Sequence, residues 1–563
     1  MSDFESKFQY WLENVEDSDL AKELQELKDA NDKKAIQDAF YQDLAFGTAG
    51  LRGIIGAGTN RMNIYTVGRA TQGFADYLLT QDENPSVAIA RDSRLMGETF
   101  VRRTACVLAA NNITAYIYPR IEPTPALSFA VRYLHCTGGI NMTASHNPAE
   151  YNGYKAYGSD GCQIATQAAK DISEAIAQVD AFTDVKTMDF DEAQEKGLIR
   201  WIEEETLQAF LDAVEKSSLE DESVAQQTED FKVVYTPLNG TGLECVSQIL
   251  ERVGITNVVC VPEQSKPDGH FPTCPYPNPE IREALEKGIE LCEEVHSDLL
   301  LATDPDADRV GTAVKNGNDY TLISGNEMGV LLLNYIAQER EKRGEDLRED
   351  LAVTTIVSSL MVDAIAEHYG FKIKRVLTGF KYIGGVISDL EHAGKEETFL
   401  FGFEESYGYL AGTHVRDKDA VVASMLICQM ARYYKSRGLN LAQAMEELYE
   451  QYGYYENKTL SFSYPGADGA ARMQEIMEGL RTEGLSSIAG RDVIQTVDYS
   501  KGIDDLPPAN VIEFDMGAGN KVLVRPSGTE PKIKAYLFSK GDSRKEALAL
   551  QREIEADTQS IFV

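Results

Sequence analysis

The sequence lacks several features that would assign a protein to a class at once. None of its eight cysteines forms a C-x-x-C pair, which argues against a zinc site or a disulfide framework and favours buried, reduced thiols. It has no apolar run of roughly 18 residues, so no membrane-spanning helix is expected. Its acidic first residues do not resemble a secretion signal, and we expect a cytoplasmic protein.

Basic residues are scarce as well. There are 54 lysines and arginines against 90 aspartates and glutamates, and the formal net charge is −36. Such a charge repels nucleic acid and anionic membranes, so neither is expected as a partner. If the substrate is itself an anion, lysines and arginines must be concentrated at its binding site.

The length and the patterning predict several domains. A chain of 563 residues is too long for one core, and typical domain sizes suggest roughly three to five. Residues 3–43 predict two or three amphipathic helices, because Leu20, Leu24 and Leu27 recur at helical spacing. We predict an N-terminal helical extension over 1–44 and four domains over 45–205, 206–315, 316–450 and 451–563.

Short β-rich runs alternate with helical stretches between about residues 45 and 445, which is typical of α/β units. The runs form three groups of three: 87–90, 113–118 and 139–142; 231–235, 258–261 and 299–302; 353–357, 372–377 and 398–403. Each third run ends in a polar loop, where open α/β sheets bind ligands. The expected fold is α/β, with three similar α/β modules with mixed sheets plus a C-terminal α+β domain around a central cleft.

The first of these loops offers a nucleophile. It reads Thr-Ala-Ser-His-Asn-Pro, with Ser145 directly followed by His146. A serine hydroxyl needs a base and an electrophile nearby, but consecutive side chains in an extended loop point apart, so a Ser-His relay is not expected. Lys155 could return toward the serine as a proton carrier or phosphate ligand. The alternative is an ordinary turn that caps a helix.

The second loop offers a cation site. Asp304, Asp306 and Asp308 alternate in a segment where Pro305 excludes a regular helix, so all three carboxylates can turn inward. Like charges at that distance repel unless a cation lies among them, and carboxylate oxygens with phosphate and water suit Mg²⁺. Arg309 would hold a carboxylate or a phosphate. The alternative is a solvated acidic turn.

Three further segments fit the binding of a sugar phosphate. Glu404 and Ser406 follow the third strand, where a glutamate can accept hydrogen bonds from vicinal hydroxyls, although a helix N-cap is an alternative. The segment Arg-Pro-Ser-Gly-Thr at 525–529 is suited to cradle a phosphate but is not a nucleotide-binding P-loop. A glycine-rich loop at 47–53 carries Arg52. The residues 91–94 are interpreted as a salt-bridged structural turn.

With these motifs the chain resembles the α-D-phosphohexomutases, and among them the long members of the phosphoglucomutase/phosphomannomutase family. The matching segments are T-A-S-H-N-P, D-P-D-A-D-R, G-F-E-E-S and R-P-S-G-T-E-P, in the family's order and over nearly the whole chain. Two positions depart from the family pattern. Gly408 stands where some members have a histidine, for which His414 or Lys418 are candidate replacements, and Asn239 also replaces a histidine.

The resemblance implies a role for each matching residue. It implies that Ser145 carries a phosphoryl group, with Arg52, Lys155 and His146 among the catalytic residues. It implies one Mg²⁺ per active site on phosphorylated Ser145, Asp304, Asp306 and Asp308. The substrate-binding residues it implies are Arg309, Thr378, Gly379, Lys381, Glu404, Ser406, Lys418, Arg525, Ser527, Gly528 and Thr529.

The expected activity is therefore movement of a phosphate between C1 and C6 of glucose, with glucose 1,6-bisphosphate as intermediate and activator. The expected partners are small-molecule sugar phosphates. Mannose or pentose phosphates remain alternative substrates. A metal-dependent phosphatase is another alternative, since Asp304 and Asp306 resemble a D-x-D nucleophile loop. The last alternative is a non-catalytic protein that senses a sugar phosphate.

Overall fold

The computed structural model describes residues 3–47, 50–464, 466–527 and 532–562. The chain divides into two compact units. Unit 1 runs from the N-terminus through Ala313 and adds Gly384–Glu396 and Leu410–Cys428, and unit 2 holds Val314–Ile383, Glu397–Tyr409 and the chain from Gln429 onward. Among the described helices, no stretch combines the length and the apolar character that a bilayer crossing requires.

Unit 1 begins with three helices, as predicted: α1 (Asp3–Asn14), α2 (Ser18–Ala30) and α3 (Lys33–Phe40). Asp17 and Asp32 cap α2 and α3 by accepting backbone N–H groups of the first turn. Trp11, Leu24 and Phe40 are buried in one apolar cluster between these helices. The same cluster includes Ala57 and Tyr65, so the three helices share this core with the segment that follows them.

The first sheet has the order β1-β5-β4-β2-β3-β6. β2, β3, β4 and β6 pair in parallel, whereas β4–β5 and β5–β1 are antiparallel, so the sheet is mixed. Its elements are β1 (Leu51–Ile54), α4 (Ile64–Gln81), β2 (Ser86–Arg91), α5 (Gly97–Ala110), β3 (Thr114–Ile117), α6 (Thr124–Tyr133), β4 (Gly138–Met142), β5 (Tyr151–Gly158), α7 (Thr166–Ala177), α8 (Phe190–Glu195), β6 (Ile199–Trp201), α9 (Glu204–Glu215) and α10 (Glu222–Gln227).

The second sheet has the order β11-β10-β9-β7-β8. β7 pairs in parallel with β8 and β9, and β9 pairs with β10 antiparallel. Its elements are β7 (Val233–Thr236), α11 (Gly242–Arg252), β8 (Val258–Cys260), α12 (Pro262–Ser265), α13 (Arg282–Val295), β9 (Leu299–Thr303), β10 (Val310–Asn316) and β11 (Asp319–Ile323).

The third sheet has the order β13-β12-β14-β15, with β12 parallel to both β13 and β14. Its elements are α14 (Gly325–Lys342), β12 (Leu351–Thr355), α15 (Met361–Tyr369), β13 (Lys372–Val376), α16 (Phe380–His392), β14 (Phe399–Glu404), β15 (Gly408–Leu410), α17 (Ala420–Ser436) and α18 (Leu441–Tyr452), with a short 3₁₀ turn at Glu396–Thr398.

All three sheets repeat one strand arrangement. The first strand of each group is central, the second lies on one side and the third on the other, and a further strand follows beside the third: β3-β2-β4-β5, β8-β7-β9-β10 and β13-β12-β14-β15. The prediction of one α/β module used three times is confirmed. The neighbouring fourth strand was not predicted, and it explains why each polar loop lies between two adjacent strands.

The C-terminal domain is built on an antiparallel sheet of order β16-β22-β21-β20-β19, which confirms the predicted change of fold class. Its elements are β16 (Tyr454–Ser463), α19 (Gly466–Thr482), β17 (Ser487–Ile488), β18 (Arg491–Asp492), β19 (Gln495–Asp498), β20 (Ile512–Gly517), β21 (Asn520–Pro526), β22 (Lys532–Gly541) and α20 (Arg544–Phe562), with a 3₁₀ turn at Tyr499–Lys501.

The eight cysteines are all in the thiol form, and the described residues contain no disulfide. Six of them are buried, whereas Cys106 and Cys260 are half-buried. Burial raises the pKa of the Cys136 thiol to about 11 and that of the Cys274 thiol to about 12, because an apolar environment disfavours the thiolate. These two thiols are therefore unreactive at neutral pH.

Candidate active site

The loop between β4 and β5 holds Ser145 in an uncommon backbone conformation. Its φ is +52°, in the left-handed region, and its N–H donates to Thr143 Oγ1 at 2.8 Å. The Ser145 hydroxyl donates to Asp304 Oδ2 at 2.8 Å and lies 3.1 Å from His146 Nδ1. The expectation that the side chains of Ser145 and His146 point apart is wrong, because it assumed an extended loop and the left-handed residue turns the two side chains together.

Asp304, Asp306 and Asp308 are the cluster in the second loop. All three are buried, and one carboxylate oxygen of each lies within 4.8 Å of the others. Burial and the two neighbouring carboxylates raise the pKa of Asp304 well above its usual range. The solvated acidic turn considered for this segment is wrong, because none of the three carboxylates is solvated.

The donor set of this cluster fits a hard divalent cation. Asp306 Oδ1 and Asp308 Oδ1 are buried and accept no hydrogen bond from the described residues. Buried carboxylate oxygens without donors are costly, and a cation among them removes that cost. Three carboxylates with a serine oxygen beside them match the ligand preference of Mg²⁺.

Two lysines partly neutralise the three carboxylates. Lys155, on β5, lies 2.7 Å from Asp306 Oδ2 and 3.3 Å from Asp308 Oδ2. Lys418 lies 3.0 Å from Asp308 Oδ2 and 2.9 Å from Asp417. Burial alone would lower the pKa of Lys155, but Asp306 and Asp308 more than offset it and raise that pKa. Lys155 is therefore a protonated ammonium in this arrangement, which suits a phosphate ligand better than a proton acceptor.

A chain of buried side chains fixes one ligand of the cluster from behind. Thr124, at the start of α6, donates its hydroxyl to Asp306 Oδ2 at 2.8 Å, and its N–H donates to the Asp306 carbonyl at 2.8 Å. Asn141 of β4 donates to the Thr124 hydroxyl at 2.8 Å. The position of Asp306 is therefore set by both the first and the second sheet.

Two predicted arginines lie on the edges of these loops. Arg52 of β1 donates to the Asn147 side chain at 2.7 Å, within the Ser145 loop. Arg309 donates to Glu280 at 2.7 Å, so it holds a carboxylate, which is one of the two roles expected for it. The substrate contact predicted for Arg309 stays a prediction.

His414 and Lys418, the candidate replacements for the histidine absent at Gly408, have structural partners, as does Asn239. His414 lies 2.8 Å from the buried Asp419, whereas Lys418 lies 3.0 Å from Asp308 of the aspartate cluster. Asn239 donates to the carbonyls of Glu263 and Lys266 at 3.2 and 2.7 Å. Asn239 therefore joins two loops of the second sheet.

Unit 2 contains the predicted sugar loop. Glu404 ends β14, and its Oε1 accepts the Gly379 N–H at 2.7 Å, so the two segments predicted to contact sugar touch each other. A turn and then β15 follow Glu404, and the alternative of a helix N-cap is wrong. Glu405 is half-buried, and desolvation together with Glu404 raises its pKa to about 7. Ser406 is half-buried in the same turn.

The predicted phosphate segment lies in unit 2 as well. The Arg525 guanidinium donates to the hydroxyl of Thr378, next to Gly379. Ser527 donates its N–H to the Lys532 carbonyl at 2.7 Å, and Lys381 lies over the Tyr382 ring at 4.9 Å. Gly528 and Thr529 lie outside the described residues, as do two residues of the glycine-rich loop that carries Arg52. Among the described members of this set, the structure brings together Thr378, Gly379, Glu404 and Arg525.

Sequence reasoning missed Thr124 and Asn141 and gave no site role to Asp92 or Arg94. The predicted salt-bridged turn is confirmed, since Arg94 Nε lies 3.4 Å from Asp92 Oδ2 and both side chains are fully buried. Burial raises the pKa of Asp92 to about 6, although Arg94 and Thr143 oppose this. Asp92 and Arg94 follow the end of β2, which was a signal for them, whereas Thr124 opens a helix and Asn141 lies within a strand, and no sequence signal marked either of these two.

Three α/β domains and an antiparallel sheet domain, with a serine beside three buried carboxylates, define a protein of the α-D-phosphohexomutase superfamily. The chain matches Phosphoglucomutase/phosphomannomutase, alpha/beta/alpha domain I over residues 43–182, domain II over 208–317 and domain III over 324–452. These matches span more than half of the sequence. The chain belongs to the phosphoglucomutase/phosphomannomutase family.

A relative in sequence agrees with this membership, and two solved structures share the fold. A phosphoglucomutase of Staphylococcus saprophyticus is 36% identical over 540 residues, covering 93% of this chain and 95% of the relative. The open form of pp63/parafusin, a phosphoglucomutase from Paramecium, has a TM-score of 0.68 at 19% identity, over 92% of this chain and 96% of that one. N-acetylphosphoglucosamine mutase of Aspergillus fumigatus, solved with GlcNAc-6P and magnesium, has a TM-score of 0.50 at 13% identity, over 93% and 97% of the chains.

Proposed function

We propose that this chain is a phosphoglucomutase that interconverts glucose 1-phosphate and glucose 6-phosphate. The observation that carries the proposal is the Ser145 hydroxyl, which is buried and 2.8 Å from one of three clustered carboxylates. Membership of the family and the resemblance to phosphoglucomutases over most of the chain give the reaction class.

The active form carries a phosphoryl group on Ser145. In the first step the bond between phosphorus and Ser145 Oγ breaks as a bond to the free sugar hydroxyl forms, and the proton of that hydroxyl passes to Ser145 Oγ. The product is glucose 1,6-bisphosphate. In the second step the other phosphate moves to Ser145 Oγ, and the serine proton passes to the sugar oxygen that is released. Because this second step transfers a phosphoryl group from the bisphosphate to unphosphorylated Ser145, added glucose 1,6-bisphosphate would activate the enzyme.

The residues around Ser145 either neutralise the charge of the transferred phosphate or orient the reacting groups. Asp304, Asp306 and Asp308 would hold one Mg²⁺, which supplies positive charge to the phosphoryl oxygens when bound. Lys155 and Arg52 add positive charge beside the transferred phosphate, and His146 donates or accepts at Ser145 Oγ. For a loose phosphoryl-transfer transition state, positioning and charge neutralisation account for most of the rate.

We assign the remaining predicted residues to the rest of the substrate. Glu404 Oε2 and Ser406 would bind sugar hydroxyls, together with Thr378, Gly379 and Lys381. Arg525, Ser527, Gly528 and Thr529 would bind the phosphate that does not react, through the arginine fork and the loop. Arg309 and Lys418 are assigned to the substrate as well. A cytoplasmic location completes the proposal.

The test uses the full chain with glucose 1,6-bisphosphate and Mg²⁺. We expect mass spectrometry to find one phosphoryl group, on Ser145 and stable to hydroxylamine, whereas an aspartyl phosphatase would give a labile acyl phosphate. Ser145→Ala should lose turnover by about 10⁴-fold or more, since nothing replaces a missing nucleophile. Undiminished activity in that variant would refute the proposal, and sugar-phosphate binding without turnover in the wild type would support a sensor.

The sugar is tested by comparing kcat/KM for glucose, mannose and ribose 1-phosphates. We expect glucose to be preferred. A preference for either other sugar leaves the phosphoserine mechanism in place and changes only the substrate.

A further inference from the structure

The carbonyl groups of the Ser145 loop converge on one guanidinium. Arg94 Nη2 donates to the Ser145 carbonyl at 2.6 Å and also to the Asn147 carbonyl. Arg94 Nη1 donates to the carbonyls of Pro148 and Tyr151 at 2.7 and 3.0 Å. One planar side chain thus fixes both ends of the segment that follows the nucleophile.

Asp92 connects this guanidinium to the residues that precede the nucleophile. Its Oδ2 accepts the Thr143 hydroxyl at 2.5 Å, and Thr143 Oγ1 in turn accepts the Ser145 N–H at 2.8 Å. Its Oδ1 accepts the Arg94 N–H at 2.9 Å. Arg94 and Asp92 are 3% and 0% exposed, so water does not compete for these bonds.

The geometry of the guanidinium excludes a simple replacement by another cation. The Arg94 guanidinium also lies over the Phe271 ring, with its carbon 5.1 Å from the ring centroid. A lysine would retain the charge, but it cannot direct donors to four carbonyls in a fixed plane. Arg94→Lys is therefore a test of geometry at constant charge.

The conformation that this network holds is one that serine rarely adopts. A non-glycine residue at φ +52° persists only where its surroundings determine it. That conformation places Ser145 Oγ 2.8 Å from Asp304 and 3.1 Å from His146. Arg94 and Asp92 contact the backbone and Thr143, and neither donates to the Asp304 cluster among the described hydrogen bonds.

We propose that Arg94 and Asp92 are positioning residues, which hold the Ser145 loop in its left-handed conformation so that the hydroxyl faces the three carboxylates. The proposal rests on the proposed function, because its readout is phosphoryl transfer through Ser145. The pair acts on the transfer step and leaves sugar-phosphate binding unchanged.

Arg94→Lys should lower kcat by about 100-fold, as expected for a misplacement of the nucleophile by about 1 Å, and change KM for glucose 1-phosphate less than about threefold. Phosphorylation of Ser145 by glucose 1,6-bisphosphate should slow by the same factor. The control is Arg132→Lys: Arg132 is half-buried, donates to the Asp160 carbonyl at 3.0 Å and pairs with Glu391 at 2.8 Å, away from the loop. It should retain wild-type kcat.

A second pair of variants tests the proposal even if Arg94→Lys fails to fold. Thr143→Val removes only the hydroxyl that links Asp92 to the Ser145 N–H, and it should lower kcat about tenfold. Thr143→Ser restores the hydroxyl and should recover at least half of the wild-type kcat. A role in stability alone would shift the melting temperature of Thr143→Val and leave its kcat unchanged.

The outcomes separate the two proposals. Absence of phosphate on wild-type Ser145 refutes the proposed function. Wild-type phosphorylation, together with an unchanged kcat in Arg94→Lys or in Thr143→Val, overturns the positioning role and leaves the function intact.

Discussion

Asn141 and Lys155 face each other across the antiparallel pairing of β4 and β5. Asn141 holds Thr124, which donates to Asp306 Oδ2, and Lys155 is 2.7 Å from that same oxygen. Asn141 and Lys155, a facing pair in the first sheet, therefore both contact the Asp306 carboxylate of the second sheet, Asn141 through Thr124 and Lys155 directly. This relationship couples the two strands that flank the nucleophile loop to the aspartate cluster.

Thr124→Val should weaken metal binding. The variant removes the hydroxyl that donates to Asp306 and leaves the shape of the side chain nearly unchanged, so we expect the dissociation constant for Mn²⁺ to rise about tenfold. Isothermal titration with Mn²⁺ measures it. Thr124→Ser keeps the donor and should bind as the wild type does; equal affinity in Thr124→Val would show that the bond does not orient the ligand.

Lys155→Met should separate metal binding from turnover. Loss of the ammonium leaves Asp306 and Asp308 less neutralised, so Mn²⁺ should bind more tightly than in the wild type. Turnover should fall by about 10²–10³-fold, because positive charge beside the transferred phosphate is lost. Parallel titrations and kcat measurements check both directions. The exposed Lys170→Met is the control, and weaker Mn²⁺ binding in Lys155→Met would contradict the charge argument.

Gly240→Ala should disturb the aspartate loop. An added Cβ would lie 2.4 Å from Pro305 Cα and 2.5 Å from its carbonyl oxygen, closer than real contacts allow. Pro305 must move, at a cost of about 1–3 kcal/mol in the free energy of unfolding. Thermal unfolding and Mn²⁺ titration should show lower stability and lower affinity. In Gly385→Ala the added Cβ meets no described atom within 4 Å, and this control should be unaffected.

Glu456→Gln should alter the pH dependence of stability. Burial, followed by the neighbouring Glu327, raises the pKa of Glu456 from 4.5 to about 7. A raised acid pKa means that the folded state binds the proton more strongly. The stabilisation is therefore complete below about pH 4.5 and is lost as the pH rises through 7.

Between pH 5 and pH 8 the wild type should lose roughly 1–3 kcal/mol that Glu456→Gln does not lose. Melting temperatures across this range measure the difference. The exposed Glu553→Gln should follow the wild-type curve. Parallel curves for Glu456→Gln and the wild type would rule out this titration.

Much of the fold could be predicted from the sequence, because the buried parallel strands are continuous apolar runs that end in polar loops. β5 and β16 were missed because their residues alternate polar and apolar side chains around glycine, tyrosine or charge, which resembles loop composition. The orientation of Ser145 toward His146 depends on one φ angle, which residue types do not determine. The Thr124–Asp306 bond joins residues 182 apart in sequence, so no local pattern could reveal it.

The repeated placement of a strand beside the third strand of each module has an evolutionary consequence. The loop between these two strands takes no part in the pairing of the parallel strands. Its residues can therefore be exchanged while the strand pairing on both sides stays intact. Duplication of one ancestral unit would then supply three equivalent loop positions, and each loop could acquire a separate chemical function. New substrate ranges could arise by replacing the three to eight residues of one such loop (143–150, 304–309 or 405–407) rather than by rebuilding a domain.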